Sequence, residues 1–474
     1  MPPEARKRAV ALGVQLPGVS DEEHASSLAE LARLGKTLGV DVVARVVQRR
    51  AKLDKASVVG KGKLKDLALL TGGSGVVPMG PPGRRGKAEE DPDETEDEND
   101  DTEAQDSDST EKTAGSSSQT EAPAQTDTDV APPTVRATVV LVDHDLSPSQ
   151  ARNLERATSA EVLDRSAVIL AIFQRHARSR EARLQVEIAR LSYWAPRVRE
   201  QSGGKDREGG GIGGRGAGES HLELDRRKLR DRIAELRAEI KAIEHEAGVR
   251  RQRREQQNKV ALVGYTNAGK SSLMRVLTGS GVMVADRLFA TLDTTVRALQ
   301  PETKPRVLVS DTVGFIKKLP HELVASFRST LDEARDAELL LHVVDAADAA
   351  FPAQIEVTRA VLDDIGAQGP RLLLLNKIDR VDAARREALR DEYPDALLLS
   401  AKDPEDVALL HDRIRDFFER DMVEAELAIP YAKQKLVAEI HASCRVLAES
   451  HDEHGTKVRL RARPEVLARL RAAV

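Results

Sequence analysis

The sequence predicts a multidomain α/β protein, and three observations carry that reading. The chain has 474 residues, more than one hydrophobic core usually supports, since single cores rarely grow past about 250–300 residues. Strand-sized apolar runs such as "KVALVG", "ELLLHVVD" and "RLLLLN" alternate with stretches of helical periodicity, as in open α/β sheets. A glycine-rich turn, "GYTNAGKSS", joins one of these runs to a helix, the place where such sheets hold phosphate.

The first 165 residues predict a small α/β domain. "SSLAELARLGKTLGVDVVARVVQRR" gives an amphipathic helix followed by a strand, and "ATVVLVDHDLSPSQARNLERATSAEVLD" gives strand, helix, strand. "VVGKGKLKDL" (58–67) predicts a Gly-Lys turn opening a short helix. Such a turn suits phosphate contact through backbone N–H groups and lysines, or is a tight turn in a solvated loop. The N-terminal "MPPEARKRAVALGVQLPG" has no sustained apolar core of the secretory kind.

Residues 72–134 interrupt this domain with a low-complexity insertion. Between Glu89 and Asp129 stand 17 acidic residues and one lysine, a charge of −16; the whole chain carries −5, so the remainder carries +11. So charged and apolar-poor a stretch cannot offset the entropy of ordering it and is expected to be disordered. The basic remainder, with "RRQRR" at 250–254, suits a polyanionic partner such as nucleic acid.

Residues 166–257 predict a helical hairpin. Leu184, Ile188 and Leu191 form one stripe. A second long helix carries Leu229, Ile233, Leu236, Ile240 and Ile243 at alternating four- and three-residue steps, a coiled-coil seam. The connection 202–220, "SGGKDREGGGIGGRGAGES", is too glycine-rich for a stable fold. It is either a passive linker or a flexible tip whose Lys205, Arg207 and Arg215 meet RNA.

Residues 258–420 carry the chemistry. Gly264-x-x-x-x-Gly269-Lys270-Ser271 lies between strand and helix. In this pattern backbone groups from Gly264 through Tyr265, Thr266, Asn267, Ala268 and Gly269 to Ser272 surround the phosphates, Lys270 reaches the β/γ oxygens, and Ser271 ligates Mg²⁺. "VLVSDTVGF" supplies Asp311 to hold the Mg²⁺ through water and the Gly314 N–H for the last phosphate. In "LFATLDTTVR" (288–297) Thr295 is the candidate to close on metal and phosphate, with Thr294 and Thr291 as neighbours able to substitute. Lys270, Thr295 and Gly314 are thus the candidate catalytic set. "LLLLNKID" brings Asn376, Lys377 and Asp379 to a base pocket. The Asp379 carboxylate accepts from guanine N1–H and N2–H₂, an edge that adenine lacks. "LLLSAKD" adds Ser400, Ala401 and Lys402, with the Ala401 N–H facing guanine O6. Four elements arrive in order at strand ends, and they imply a GTP/GDP site.

The position after Gly314 is Phe315, where many GTPases place a glutamine that orients water. Either hydrolysis is lost, leaving a GTP-gated RNA-binding or ribosome-assembly module, or water is positioned by backbone, cation or a partner while Phe315 points away from the phosphate. An ATPase or small-molecule kinase is disfavoured by Asn376 and Asp379. Asn267 lies where some GTPases recruit K⁺ beside the phosphates, a place in which an asparagine also simply stabilises the turn.

The C-terminal residues 421–474 predict strand, helix, strand, strand, helix, a small α+β domain with Cys444 as an apolar filler. A single cysteine excludes an intramolecular disulfide and suits a reducing cytosol. No apolar run approaches the ~18–20 residues that span a bilayer, so a cytoplasmic protein is expected, with peripheral membrane association left open; a monomer is expected as well.

With these residues in hand, the chain closely resembles the HflX family of ribosome-associated GTPases. The resemblance rests on "VVQRRAKLDKASVVGKGKLKDL", "DHDLSPSQARNLE", "VLDRSAVILAIFQRHARSREARLQVEIARLSYWAPR", "GGGIGGRGAGESHLELDRRKLRDRIAEL", "LFATLD", "DTVGFI" and "AIPY". It implies an N-terminal α/β domain, a helical hairpin, a Ras-like GTPase domain and a small C-terminal domain. It also implies binding to the large ribosomal subunit, hydrolysis stimulated there, splitting or rescue of stalled ribosomes, and a glycine-rich tip that probes ribosomal RNA. Use of ATP by the N-terminal domain is reported in the family, with "VVGKGK" the support here. Two departures stand out: "DTTVR" where the family usually reads "DPTTR", and the long acidic insertion.

Overall fold

A computed structural model describes residues 6–77, 136–201, 221–252, 257–281, 288–289, 295–317 and 328–474. The acidic stretch, the glycine-rich tip, and Thr291 and Thr294 lie outside the described residues.

The N-terminal sheet has the order β2-β1-β3-β4, all parallel, from β1 (Lys7–Gln15), β2 (Val40–Arg49), β3 (Val139–Val142) and β4 (Glu161–Asp164). One of its two inner strands, β1, comes from the N-terminal stretch whose apolar run lacks the sustained core of a secretory signal. Ala9 to Val14 are buried in an unbroken run, because helices cover both faces of a parallel sheet. α1 (Asp21–Leu38) and α4 (Arg165–His176) cover one face; α2 (Lys61–Thr71) and α3 (Pro148–Thr158) cover the other. The caps are legible in sequence. Ser20 receives the Glu23 N–H ahead of an acidic first turn, and Gly39 ends α1 at φ 83°. Ser147 and Gln150 form a reciprocal capping box on α3.

The helical stretch expected from Ser166 onward divides into α4 and α5 (Arg180–Gln201). Ala177 leaves the helix with extended geometry, and Ser179 Oγ accepts the Ala182 N–H at 3.0 Å to start the second helix. α4 buries Val168, Ile169, Ile172 and Phe173 in the N-terminal core. α5 instead pairs with α6 (His221–Gln252) through Leu184, Ile188 and Leu236, flanked by Leu191, Ile233, Ile240 and Ile243.

The nucleotide domain is a six-stranded sheet of order β10-β9-β8-β5-β7-β6. Its strands are β5 (Asn258–Gly264), β6 (Thr295–Ala298), β7 (Val307–Asp311), β8 (Leu339–Asp345), β9 (Arg371–Asn376) and β10 (Leu397–Leu398). Only β6 runs antiparallel, against β7. The helices are α7 (Lys270–Thr278), α8 (Arg328–Arg335), α9 (Phe351–Asp364), α10 (Ala383–Glu392) and α11 (Pro404–Glu419). The C-terminal domain packs α12 (Lys435–Ser443) and α13 (Pro464–Ala473) on a sheet of order β11-β13-β12, from β11 (Val423–Pro430), β12 (Arg445–His451) and β13 (Gly455–Ala462). Cys444 is buried in that core, and burial raises its thiol pKa.

His342 of β8 is 3% exposed with Nε2 unpaired. Burial, with smaller contributions from Arg359, Arg371 and Lys270, pushes its pKa down to about 4 from an ordinary 6.5. A neutral buried imidazole leaves stability intact above pH 6.5 and erodes it as pH falls toward 4. Between pH 7.5 and pH 5 this one group should remove on the order of 2 kcal/mol. Urea unfolding of the wild type and H342L at both pH values checks this, with the variant losing less.

Candidate functional site

The phosphate loop is shaped by two glycines that no other residue replaces. Gly264 has φ 142°, and a Cβ there would lie 2.1 Å from the Val343 carbonyl oxygen; Gly269 has φ 102°, and its Cβ would lie 2.2 Å from Asn376 Nδ2. The loop ends on α7, whose N-cap is Gly269 and whose helix dipole turns its positive end toward the loop. Lys270 is 6% exposed and donates through Nζ to the carbonyls of Gly264 (2.9 Å) and Tyr265 (2.7 Å). Burial pushes its pKa down to about 8, with Asp311 opposing and Lys377 adding to the shift. Ser271 Oγ donates to Asp311 Oδ2 at 2.7 Å, so the hydroxyl and carboxylate expected at a metal stand together. Both are hard oxygen donors of the kind Mg²⁺ prefers. Ala268 and Thr266 are buried, and Ser272 is half-buried next to Ser271 on α7.

The second switch runs directly against this loop. The Phe315 N–H donates to Gly264 O at 3.1 Å, and the Thr266 N–H donates to Phe315 O at 2.8 Å. These bonds form a parallel bridge that brings Gly314 against Thr266 and the Lys270 ammonium. The Phe315 ring, 2% exposed, turns into the core among Ala261, Val263, Leu331, Ala334, Leu340 and Leu362. It thus points away from the loop, as expected, while its backbone holds the loop. Thr295 opens β6 and pairs with Asp311 across the ladder.

The base-side residues interlock. Asn376 Nδ2 donates to Ala268 O at 2.8 Å, and Asn376 Oδ1 accepts the Ala401 N–H at 3.2 Å. One side chain therefore fixes both the phosphate loop and the Ser400–Lys402 loop. Lys377, with φ 62°, donates to Asn267 O (2.7 Å) and Asp345 Oδ2 (2.6 Å). Asp379 accepts from Lys402 Nζ and Ser400 Oγ, each at 2.8 Å. The bond to Lys402 in particular holds its carboxyl below the usual range, keeping it an acceptor. Asp345 closes the network. It escaped the sequence reading, although its place at the end of the apolar run "LLLHVVD" was a signal.

Three family models match the chain: "GTP-binding GTPase N-terminal" over residues 25–76 and 124–174, "GTP-binding GTPase Middle Region" over 176–254, and "50S ribosome-binding GTPase" over 259–377. The protein named GTPase HflX of Gluconacetobacter diazotrophicus is 55% identical over 467 residues, covering 98% of this chain and 97% of the relative. The chain belongs to the HflX family of GTPases. The HflX of Caldanaerobacter subterraneus is 34% identical, covering 98% and 93%. A solved GTP-binding protein from Sulfolobus solfataricus in complex with GDP shows 22% identity and a TM-score of 0.39, covering 86% of this chain and 97% of that one. As an HflX GTPase the protein hydrolyses GTP, with a nucleotide domain of the ribosome-binding type.

Replacing Gly269 by Ala forces a Cβ onto Asn376 Nδ2 in a backbone region L-residues avoid. The variant should lose about 1–3 kcal/mol of stability together with guanine-nucleotide affinity. Thermal melts and calorimetry with GDP measure the two losses.

Proposed function

We propose that this HflX GTPase binds the large ribosomal subunit through ribosomal RNA, that docking stimulates its hydrolysis, and that its cycle splits or rescues stalled ribosomes. The observation that carries this reading is Phe315. Its side chain is committed to the core, so no side chain at that position orients water, and a docked partner is left to complete the site. The basic balance of the chain outside its acidic stretch supports an RNA surface as that partner.

Within the site we assign Gly264, Tyr265, Thr266, Asn267, Ala268, Gly269, Lys270, Ser271 and Ser272 to the phosphates, with Lys270, Thr295 and Gly314 acting on the transferred group. Asn376, Lys377, Asp379, Ser400, Ala401 and Lys402 read guanine. Mg²⁺ would be held by Ser271 and Thr295, and by Asp311 through water; bound there, it neutralises phosphate charge. The positive φ of 62° at Asn267 favours its turn role. A hydrolysis rate equal in potassium and sodium salts would retire the K⁺ role. The protein acts as a monomer in this scheme.

Purified large subunits should raise the GTPase rate by roughly two orders of magnitude or more; equal turnover with and without subunits would sink the coupling. Asp379→Asn should weaken GTP binding about 100-fold or more and favour xanthosine triphosphate, whose C2 carbonyl accepts from the new amide. Competition binding with both nucleotides reads this, and an unchanged preference would remove Asp379 from base recognition.

A further inference from the structure

Two adjacent residues, the last of β4 and the first of α4, join three bodies. Arg165 is 1% exposed, and its guanidinium donates to Glu30 of α1, to Asp143 Oδ1 at 2.8 Å, and to the Lys317 carbonyl at 3.2 Å. Ser27 Oγ donates to the other Asp143 oxygen at 2.6 Å. Glu30 also accepts the Tyr265 hydroxyl, and that hydroxyl accepts the Lys317 N–H at 2.7 Å. The N-terminal domain therefore grips both the phosphate loop and the second switch, three residues beyond Gly314. Lys317 Nζ pairs with Glu23, and the Phe173 and Phe289 rings meet edge-on at 4.5 Å in the apolar cluster that also holds Val313 and Ile316.

Asp164, one residue earlier and equally buried, holds the hairpin. It accepts the Tyr193 hydroxyl and Arg197 Nη2, both at 2.8 Å. Arg197 also stacks 3.5 Å over the Tyr193 ring. Trp194, 45% exposed, lies edge-on to Tyr193 at 5.6 Å.

A buried ion cluster is weak evidence for stability, because apolar replacements often serve as well. What this cluster supplies is direction: every donor and acceptor fixes one backbone segment against another. We propose that Glu30, Arg165 and the Tyr265 hydroxyl are positioning residues that couple the setting of Gly314–Lys317, through Asp164, to the setting of the helical hairpin. Nucleotide state and hairpin setting then influence one another reciprocally. The inference rests on the GTP-binding reading above.

Trp194, the single tryptophan of the chain, reports the hairpin base. Full-length protein is saturated with Mg²⁺ and either GDP or a non-hydrolysable GTP analogue, with calorimetry establishing occupancy. Trp194 emission should differ between the two nucleotides in the wild type. In Y265F and in R165K the difference should collapse, and the ratio of analogue to GDP affinity should shift by about fivefold or more. Thermal melts verify folding; if R165K fails to fold, Y265F decides, since it removes one hydroxyl and no charge. Equal emission with both nucleotides bound to the wild type, or a full difference retained in Y265F, overturns the relay. No guanine-nucleotide binding in calorimetry overturns the functional reading and the relay with it.

Discussion

Two backbone hydrogen bonds to Phe315 set the terms for the rest of the molecule. They stitch the phosphate loop to the second switch, so displacing one without the other breaks both bonds. The benzyl ring is the anchor for that stitch, sunk between β5, β8 and the helices α8 and α9. A glutamine would lie poorly there, because a buried amide without partners costs about 1–3 kcal/mol. The same residue that removes a water-orienting side chain therefore fixes the loop geometry, and these are one choice seen from two sides.

From the other flank Asn376 fastens the loop to the base-side segments. The site is held at both ends by side chains whose hydrogen bonds are directional and enclosed, where the local dielectric strengthens them. Lys270 lies in the middle, its ammonium form disfavoured by burial, which pushes its pKa down to about 8. An ammonium so poorly solvated gains more from a phosphate than one in water.

That these candidate site residues converge was largely legible in sequence because their pattern is local: glycines at fixed offsets, a Lys-Ser pair opening a helix, and Asn and Asp at a strand end. The apolar seams of the hairpin and the C-terminal order of elements followed from periodicity. β1 was not seen, because a strand buried on both faces reads as an unpunctuated apolar run beside a basic terminus. Glu30 and Arg165 were not seen either, since their partners are 22 to 235 positions away in combinations that spacing cannot reveal. Glu30 did leave a trace, a carboxylate within the buried stripe of Ser27, Leu28, Leu31 and Leu34. The break between α4 and α5 depends on one extended residue and one serine cap, signals too small to stand out.

The N-terminal sheet also explains how a long acidic stretch can interrupt a compact domain. The Ala137 N–H donates to Leu70 O at 3.0 Å, and the Gly75 N–H donates to Ala157 O at 2.9 Å, so the entry and exit of that stretch are clasped by the fold itself. Closure entropy grows only with the logarithm of loop length, roughly 0.6 kcal/mol per doubling. The clasp makes this junction a port at which added chain length and charge cost the fold little while the strands on either side keep their register.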